Sequence, residues 1–197
     1  IVSRTPKTAN RGVRCFKNLD CALNQLPMHT VFVICTPPNT HFKLLVKILK
    51  KKRDVIVEKP IFTRICQAKK AYYLIKKSKN YILEAYMYKH TIIYQKFKNY
   101  ILSNFKNINI IQCNFTIPEI PKSTFRSEKD IRSSCLYDMG CYVIDLFVGL
   151  NVSLKKLKVL KCFSLNQKIV LIKFSFFINN IQVKAKVGLG RRYNNFI

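Results

Sequence analysis

The chain has 197 residues, of which 49% are hydrophobic, and it carries a formal net charge of +27 at pH 7. This apolar content is enough to build a core and excludes general disorder. No apolar run reaches the roughly 18 to 20 residues that a membrane-spanning helix needs, and no secretory leader is visible. We therefore expect a globular, cytoplasmic protein with no membrane partner.

The cysteines are scattered along the chain and form no C-x-x-C pair, and only three histidines accompany them. This spacing favours reduced thiols over a disulfide framework or a zinc site. We therefore expect no metal site. The eight cysteines stand at positions 15, 21, 35, 66, 113, 135, 141 and 162.

The positive charge has two explanations. Lysines that neutralise phosphates release counterions, so a basic chain can bind nucleic acid. The basic residues, however, are spread along the whole chain, and the richness in Lys, Ile, Asn, Phe and Tyr resembles the coding bias of an A+T-rich genome. We favour this bias and expect no nucleic-acid partner, although a positive field attracts anionic cofactors and sugar nucleotides.

Strands and helices alternate through the first 85 residues. Such alternation predicts βαβ units and a parallel sheet. The strand at 31–35 is continuously apolar, which is expected for a strand covered on both faces. In chain order, we predict strand 13–16, helix 18–26, strand 31–35, helix 41–51, strand 54–57, helix 64–79 and strand 81–85.

The pattern changes after residue 89. One amphipathic helix, a strand, a polar loop and a second helix are followed by three consecutive strands, which indicates an α+β domain with a mostly antiparallel sheet. The predicted elements are helix 90–105, strand 109–117, loop 118–130, helix 136–150 and strands 157–163, 169–178 and 181–189.

A lysine follows the second buried strand, in the tripeptide Glu58-Lys59-Pro60. Partial burial lowers the pKa of a lysine and makes it a usable proton donor or acceptor near neutrality, whereas the adjacent Glu58 favours the charged form. The alternative interpretation is an ordinary surface turn.

Asp138 and Tyr142 stand four residues apart on a predicted helix, which places both on one face. In this arrangement Tyr142 can donate a proton and Asp138 can bind a substrate hydroxyl. Alternatively, Asp138 caps the helix and Tyr142 packs into the core. For Asp145, one turn later, we favour a structural role.

Several segments, in their order and spacing, resemble the Gfo/Idh/MocA oxidoreductase family over nearly the whole chain. The opening Ser3-Arg4-Thr5-Pro6 also resembles the end of that family's second strand. The other segments are residues 31–41 (VFVICTPPNTH), 58–60 (EKP), 84–89 (EAYMYK), 125–126 (FR) and 137–142 (YDMGCY).

The resemblance implies an incomplete Rossmann-type nucleotide-binding domain over residues 1–88 and a partial α+β substrate domain with an open sheet over 89–197, with the active site between them. The chain is then a fragment that lacks the N-terminal glycine-rich loop and part of the C-terminus. The implied activity is hydride transfer between NADP(H) or NAD(H) and a hydroxyl or keto carbon of a sugar, sugar nucleotide or cyclitol. The resemblance also implies a homo-oligomer formed through the open sheet.

The resemblance assigns roles to individual residues. Lys59 lies near the nicotinamide and the reacting hydroxyl, and Lys59-Pro60 is expected to be a cis peptide. Asp138 and Tyr142 match the family's substrate motif, with Tyr142 as the proton donor. Ser3 and Arg4 suit a ribose 2′-phosphate, which favours NADP over NAD, although Arg4 can also be an ordinary solvated charge. The predicted cofactor-binding residues also include Lys59 itself, together with Thr36, Pro37, Asn39, His41 and Glu58.

Two other functions stay open. A noncatalytic or degenerate relative would keep the fold, and the complete protein would bind the cofactor without turnover. A nucleic-acid-binding protein would need lysines and arginines on one face, together with aromatic stacking positions.

Overall fold

A computed structural model of the chain describes residues 1–2, 12–118, 124–127 and 129–197. Ser3 and Arg4, which we expect to favour NADP over NAD, lie outside the described residues. Within the described parts, no helix combines the length and the apolar character needed to cross a membrane.

The chain divides into two compact units. The first unit comprises Ile1–Thr36 and Thr40–Ala85, and the second comprises Pro37–Asn39 and Tyr86–Ile197. This division places an α/β unit before an α+β unit, as the change of pattern along the sequence predicts.

The first unit contains a three-stranded parallel sheet in the order β1-β2-β3. The predicted βαβ units and parallel sheet are thereby confirmed. The register pairs Ile34 with Val57 and Val57 with Glu84, so the three strands end at the same edge. Its strands and helices are α1 (Leu19–Gln25), β1 (Phe32–Ile34), α2 (Pro38–Lys50), β2 (Val55–Glu58), α3 (Ile65–Lys77) and β3 (Ile82–Ala85).

Only one face of this sheet is covered by described residues. Phe32 and Ile34 are buried together with Leu45 and other apolar side chains of the helices. On the other face, Val33 is 60% exposed and Leu83 is 49% exposed. The expectation that β1 is covered on both faces is therefore wrong for the described part of the chain, because its helices supply apolar side chains to one face.

Most element boundaries differ from the predicted ones by one to four residues. Helix α2 begins at Pro38 rather than at residue 41, because proline is well suited to the first helical position. Asn18 caps α1 by accepting a hydrogen bond from the Cys21 N–H. The predicted strand 13–16 is reduced to an isolated parallel bridge between Val2 and Phe16.

The second unit contains a five-stranded sheet in the order β5-β6-β7-β4-β8. Only β4 and β7 pair in parallel, so the predicted mostly antiparallel sheet is confirmed. The short polar strand β8 has no apolar alternation that would predict it. The strands and α-helices are α4 (Ile92–Ser103), β4 (Ile110–Thr116), α5 (Cys141–Val148), β5 (Leu154–Leu165), β6 (Lys168–Ile178), β7 (Ile181–Gly188) and β8 (Asn194–Phe196).

The core of the second unit lies on one face of β6 and β7. Phe176 of β6 is fully buried and meets Phe147 of α5 edge to face, with ring centroids 5.5 Å apart. Alternate residues of β7, such as Val183 and Val187, are also fully buried. Because side chains alternate along a strand, the residues between them point to the opposite face of the sheet.

In the first unit, Arg53 follows the C-terminus of α2 and forms hydrogen bonds with carbonyl groups at the C-terminus of α1. Its side chain is 4% exposed, and Nη2 donates to the carbonyls of Leu23, at 3.1 Å, and Leu26, at 2.8 Å. Nη1 donates to the carbonyl of Pro27. The guanidinium thus satisfies carbonyl groups at the C-terminus of α1 that have no partner within the helix.

We predict that Arg53→Met destabilises the protein by about 3 kcal/mol, because it leaves buried carbonyl groups without donors. Urea denaturation measures this loss. The matched control is Arg64→Met, which removes an exposed arginine and should change stability by less than about 0.5 kcal/mol. Equal stability of the two variants would contradict the capping role of Arg53.

Candidate active site

Two polar segments follow neighbouring strands of the first unit. Thr36 comes shortly after β1, and Lys59 comes directly after β2. Because β1 and β2 are parallel, both segments lie at the carboxyl edge of the sheet, where open α/β sheets bind their ligands. Lys59 is half-buried and the Lys59-Pro60 peptide is cis, as the resemblance implied.

His41 connects these two segments. The residue is fully buried in α2, its Nδ1 lies 3.0 Å from the carbonyl oxygen of Pro60, and its Nε2 lies 2.7 Å from the carbonyl oxygen of Thr36. Carbonyl oxygens only accept hydrogen bonds, so a neutral imidazole donates to one of them and a doubly protonated ring donates to both. In either state, the ring fixes the spacing of the loops after β1 and β2.

Glu84 forms a hydrogen bond with the peptide group that joins Pro60 to Ile61. Its Oε1 accepts a hydrogen bond of 2.8 Å from the Ile61 N–H. The carbonyl and the N–H of the Pro60–Ile61 peptide are therefore both bonded to side chains, one from α2 and one from β3. This arrangement, which we call the Pro60 clamp (His41 and Glu84 on the Pro60–Ile61 peptide), fixes the backbone that carries Lys59.

The other predicted cofactor-binding residues fall into two groups. Thr36, Pro37 and Asn39 are exposed, and the Thr36 and Thr40 hydroxyl oxygens lie 2.5 Å apart. Glu58 is half-buried at the end of β2. The cofactor-binding roles of these residues and of His41 remain predictions, whereas the contacts of His41 support a positioning role that its sequence context did not suggest.

In the second unit, Asp138 lies in a π-helical turn, Leu136–Gly140, which leads directly into α5. Such turns are rare and often occur at functional sites. Asp138 is 5% exposed, and its Oδ2 and Oδ1 accept hydrogen bonds from Arg126 Nε and Nη2 at 2.6 and 3.1 Å. The hydrogen bonds to Asp138 raise the pKa of the Arg126 guanidinium above its usual value.

Lys168 adds a second positive charge near Asp138. Its Nζ donates to the backbone carbonyl of Arg126. Burial lowers the pKa of Lys168, and the negative charge of Asp138 partly offsets this effect. Asp138 thus lies buried beside two cations, an arrangement that sequence reasoning missed because residues 126 and 168 come from different elements.

Tyr142 follows one turn after Asp138 and packs among aromatic rings. It meets Tyr86 edge to face at 5.6 Å and lies 5.8 Å from the ring of Tyr88. Tyr142 is half-buried. It therefore packs against neighbouring rings, as the structural interpretation requires, while part of its side chain stays accessible, as a proton donor requires.

Asp145 has a structural role, as we favoured from the sequence. Its two carboxylate oxygens accept hydrogen bonds from the Tyr88 hydroxyl, at 2.5 Å, and from Lys89 Nζ, at 2.7 Å. Burial and the bond to Asp145 both raise the pKa of Tyr88 far above its ordinary value. The Tyr88 hydroxyl is thus engaged with Asp145, and the role of Tyr142 as a proton donor stays a prediction.

Two buried cysteines of the second unit are poor nucleophiles. All eight are free thiols, as predicted. Burial raises the pKa of Cys113 and of Cys135 to about 12, so both stay neutral at physiological pH. The described parts of the chain hold no cluster of three histidine, cysteine or acidic side chains that could bind a metal ion.

We predict that His41→Leu destabilises the first unit by about 2 kcal/mol, because the carbonyl groups of Thr36 and Pro60 lose the buried imidazole that lies between them. Urea denaturation measures the change. His29→Leu, at an exposed position, is the control and should leave stability nearly unchanged. A His41→Leu variant as stable as this control would show that the Pro60 clamp does not depend on His41.

We predict that Arg126→Met destabilises the protein by about 2 kcal/mol, because the buried Asp138 carboxylate loses its partner. The double variant Arg126→Met/Asp138→Asn should recover part of this loss, because a neutral amide costs less to bury without a cation. Denaturation curves of both variants test the prediction, and a double variant less stable than Arg126→Met would contradict it.

Comparison with known proteins gives a family match for the first unit. Residues 2–86 match the family model GFO_IDH_MocA, described as an oxidoreductase family with an NAD-binding Rossmann fold. No curated protein is similar enough in sequence to be matched.

Several solved structures share the fold of the whole chain. Myo-inositol 2-dehydrogenase from Lactobacillus plantarum matches with a TM-score of 0.78 and 14% identity, over 92% of this chain and 57% of that chain. The 3-ketoreductase KijD10 from Actinomadura kijaniata, in complex with NADP and TDP-benzene, matches with a TM-score of 0.76 and 19% identity, over 93% and 57%. Aldose-aldose oxidoreductase from Caulobacter crescentus gives 0.79 and 11%, over 90% and 56%.

At these identities the likeness shows a shared fold, and the chain spans less than two thirds of each of these structures. The family match covers the first unit, which contains the Pro60 clamp and Lys59. Over residues 2–86, this chain is similar to the part of the Gfo/Idh/MocA oxidoreductase family that forms its NAD-binding Rossmann fold.

Proposed function

We propose that the complete protein is an NADP- or NAD-dependent dehydrogenase or reductase that acts on a hydroxyl or keto carbon of a sugar, sugar nucleotide or cyclitol. The observation that carries this proposal is the Pro60 clamp, which fixes the backbone next to a half-buried lysine at the carboxyl edge of a parallel sheet. Such positioning is what proton transfer to a bound substrate requires.

The residues at this edge fit a nucleotide cofactor. Thr36 and Asn39 are exposed after β1, and the half-buried Glu58 ends β2. They provide hydroxyl, amide and carboxylate groups at the edge where Rossmann-type sheets bind nucleotides. The nicotinamide group, when bound, accepts or donates the hydride. We favour NADP on the sequence of Ser3 and Arg4.

We assign the proton at the reacting hydroxyl to Lys59, with Tyr142 as a second donor. The half-buried Lys59 ammonium can give its proton to an oxygen that gains charge as a carbonyl is reduced, and it can take that proton back in the opposite direction. Asp138 keeps acceptor capacity beyond its two bonds to Arg126, since a carboxylate has about four lone-pair sites. It can therefore also orient a substrate hydroxyl.

The proposed substrate class rests on the hydroxyl-binding chemistry of Asp138 and on the shared fold. The structures with this fold include a 3-ketoreductase, an inositol dehydrogenase and an aldose-aldose oxidoreductase. A sugar-like substrate presents several hydroxyl groups, which can donate hydrogen bonds to a buried carboxylate such as that of Asp138.

A noncatalytic relative is the second candidate. It is favoured by the bidentate contact of Arg126, which already occupies both oxygens of Asp138. This candidate predicts that the complete protein binds NADP or NAD without turnover across a panel of sugars, sugar nucleotides and cyclitols.

We predict that Lys59→Met in the complete protein lowers kcat by about a hundredfold or more, because the general acid–base group is lost. Cofactor affinity should fall by much less than kcat, and the melting temperature should change little. The measurement is nicotinamide absorbance at saturating substrate, with cofactor affinity from fluorescence titration. Lys69→Met, at an exposed position of α3, is the control.

Unchanged turnover in Lys59→Met would contradict the catalytic role. Cofactor binding with no turnover in the wild-type protein would support the noncatalytic candidate instead. Absence of cofactor binding by the complete wild-type protein would contradict both.

A further inference from the structure

Arg126 and Lys168 carry hydrogen-bond donors for which the described residues provide no acceptor. A guanidinium has five N–H donors and an ammonium has three. Arg126 donates once from Nε and once from Nη2 to Asp138, which leaves two N–H groups on Nη1 and one on Nη2. Lys168 donates once, to the backbone carbonyl of Arg126, which leaves two. These remaining donors can bind an acceptor that the described part of the chain does not supply.

The remaining donors of Arg126 include a complete edge of its guanidinium. Asp138 occupies the edge formed by Nε and Nη2, which leaves the edge formed by Nη1 and Nη2. A planar guanidinium can hold a carboxylate on such an edge through two parallel N–H···O bonds. The Arg126 side chain is 40% exposed, so part of it is accessible to a ligand.

The charges of this cluster do not balance within the part of the chain that the structure describes. Asp138 carries one negative charge, whereas Arg126 and Lys168 each carry a positive charge. The other described acids of this unit are paired elsewhere, Asp130 with Arg132 and Asp145 with Lys89. One positive charge is therefore left over, and a singly charged anion would balance it.

The half-buried Lys168 would gain most from such an anion. Burial lowers its pKa, because an ammonium that is partly withdrawn from water loses hydration. The negative charge of Asp138 offsets this loss only in part. An anion bonded directly to Nζ would compensate for the rest, because opposite charges attract more strongly in a partly buried site than in bulk water.

These groups belong to the candidate active site. Asp138 is the residue that we propose orients a substrate hydroxyl, and Arg126 is bonded to it directly. The pKa of Arg126 is raised by these bonds and, to a smaller extent, by the nearby Tyr142, the candidate proton donor. An anion bound to Arg126 would therefore lie close to the hydroxyl that donates to Asp138.

We propose that the substrate is a sugar acid, with its carboxylate bound by Arg126 and Lys168 and a neighbouring hydroxyl donating to Asp138. Arg126 then bridges two carboxylates, one on each edge of its guanidinium, and Lys168 supplies the second positive charge. This inference rests on the proposed oxidoreductase function, because it specifies the substrate class of the same site.

Other sugar-like ligands satisfy this cluster less well. A neutral sugar or cyclitol would leave the excess positive charge without a partner. A phosphate ester carries about 1.5 to 2 negative charges at pH 7, which exceeds the single charge left over. A carboxylate matches both this charge and the planar edge of Arg126.

The test measures binding of glucuronate and galacturonate to the complete protein by isothermal titration calorimetry, with and without NADP. Each acid is compared with its amide, glucuronamide or galacturonamide, which has nearly the same shape and no charge. We expect the acids to bind about tenfold or more tightly than the amides, because hydrogen bonds between charged groups are stronger than neutral ones. Glucose 6-phosphate is the phosphate probe.

Lys168→Met should reduce the preference for acid over amide by about fivefold, because one of the two cations is lost. Its affinity for the amides should change little. Lys168→Arg keeps the charge and should retain most of the preference. The matched control is Lys96→Met, which removes the same charge from an exposed position of α4 in the same unit and should keep the full preference. Circular dichroism confirms that each variant is folded.

Four results would overturn the proposal. They are equal affinity for acids and amides, equal loss of preference in Lys168→Met and Lys96→Met, tighter binding of glucose 6-phosphate than of either acid, and a loss of amide binding in Lys168→Met as large as the loss of acid binding. The last result would show that Lys168 has only a structural role.

Turnover of the same ligands with NADP or NAD separates this inference from the proposed function. A higher kcat/KM for the acids than for the amides would support both. Turnover of neutral sugars with no preference for acids would contradict this inference alone. Selective binding of the acids without turnover of any sugar would support the carboxylate site and contradict the proposed enzymatic activity.

Discussion

The hydrogen bonds to one peptide group determine the geometry of the first unit's functional edge. His41 bonds to the carbonyl of Pro60, and Glu84 accepts from the N–H of Ile61. A buried peptide with unpaired polar groups would cost stability, so the two side chains stabilise the fold while they fix the backbone beside Lys59. Stability and positioning of the candidate catalytic group therefore depend on the same contacts.

In the second unit, the stability and the positioning of Asp138 likewise depend on the same contacts. A carboxylate that is 5% exposed needs a partner, and Arg126 provides two parallel hydrogen bonds. This pairing orients the Asp138 carboxylate, yet it also limits the hydrogen-bonding capacity left for a substrate. Asp138 can bind a substrate only through lone pairs that Arg126 does not use. Measuring turnover of the complete protein therefore distinguishes an enzyme from a noncatalytic relative.

The features that could be predicted from the sequence are those that depend on local residue patterns. Apolar runs followed by Thr36 and by Glu58-Lys59-Pro60 were sufficient to predict a parallel sheet with polar segments at its carboxyl edge, because strand period and strand ends are local properties. The Pro60 clamp was not predictable in this way. Glu84 and Ile61 are 23 positions apart, and their contact follows only once β2 and β3 are in register.

Register also determines how the positive charges of the chain are arranged in space. Lys161, Lys173 and Lys186 are each separated by at least about a strand length, so along the sequence they look evenly spread. Antiparallel pairing of β5, β6 and β7 brings them into one row. A coding bias towards lysine can supply such residues without selection for binding, so the expectation of no nucleic-acid partner stays a prediction. Composition sets the number of positive charges, and pairing of the strands decides whether they act together.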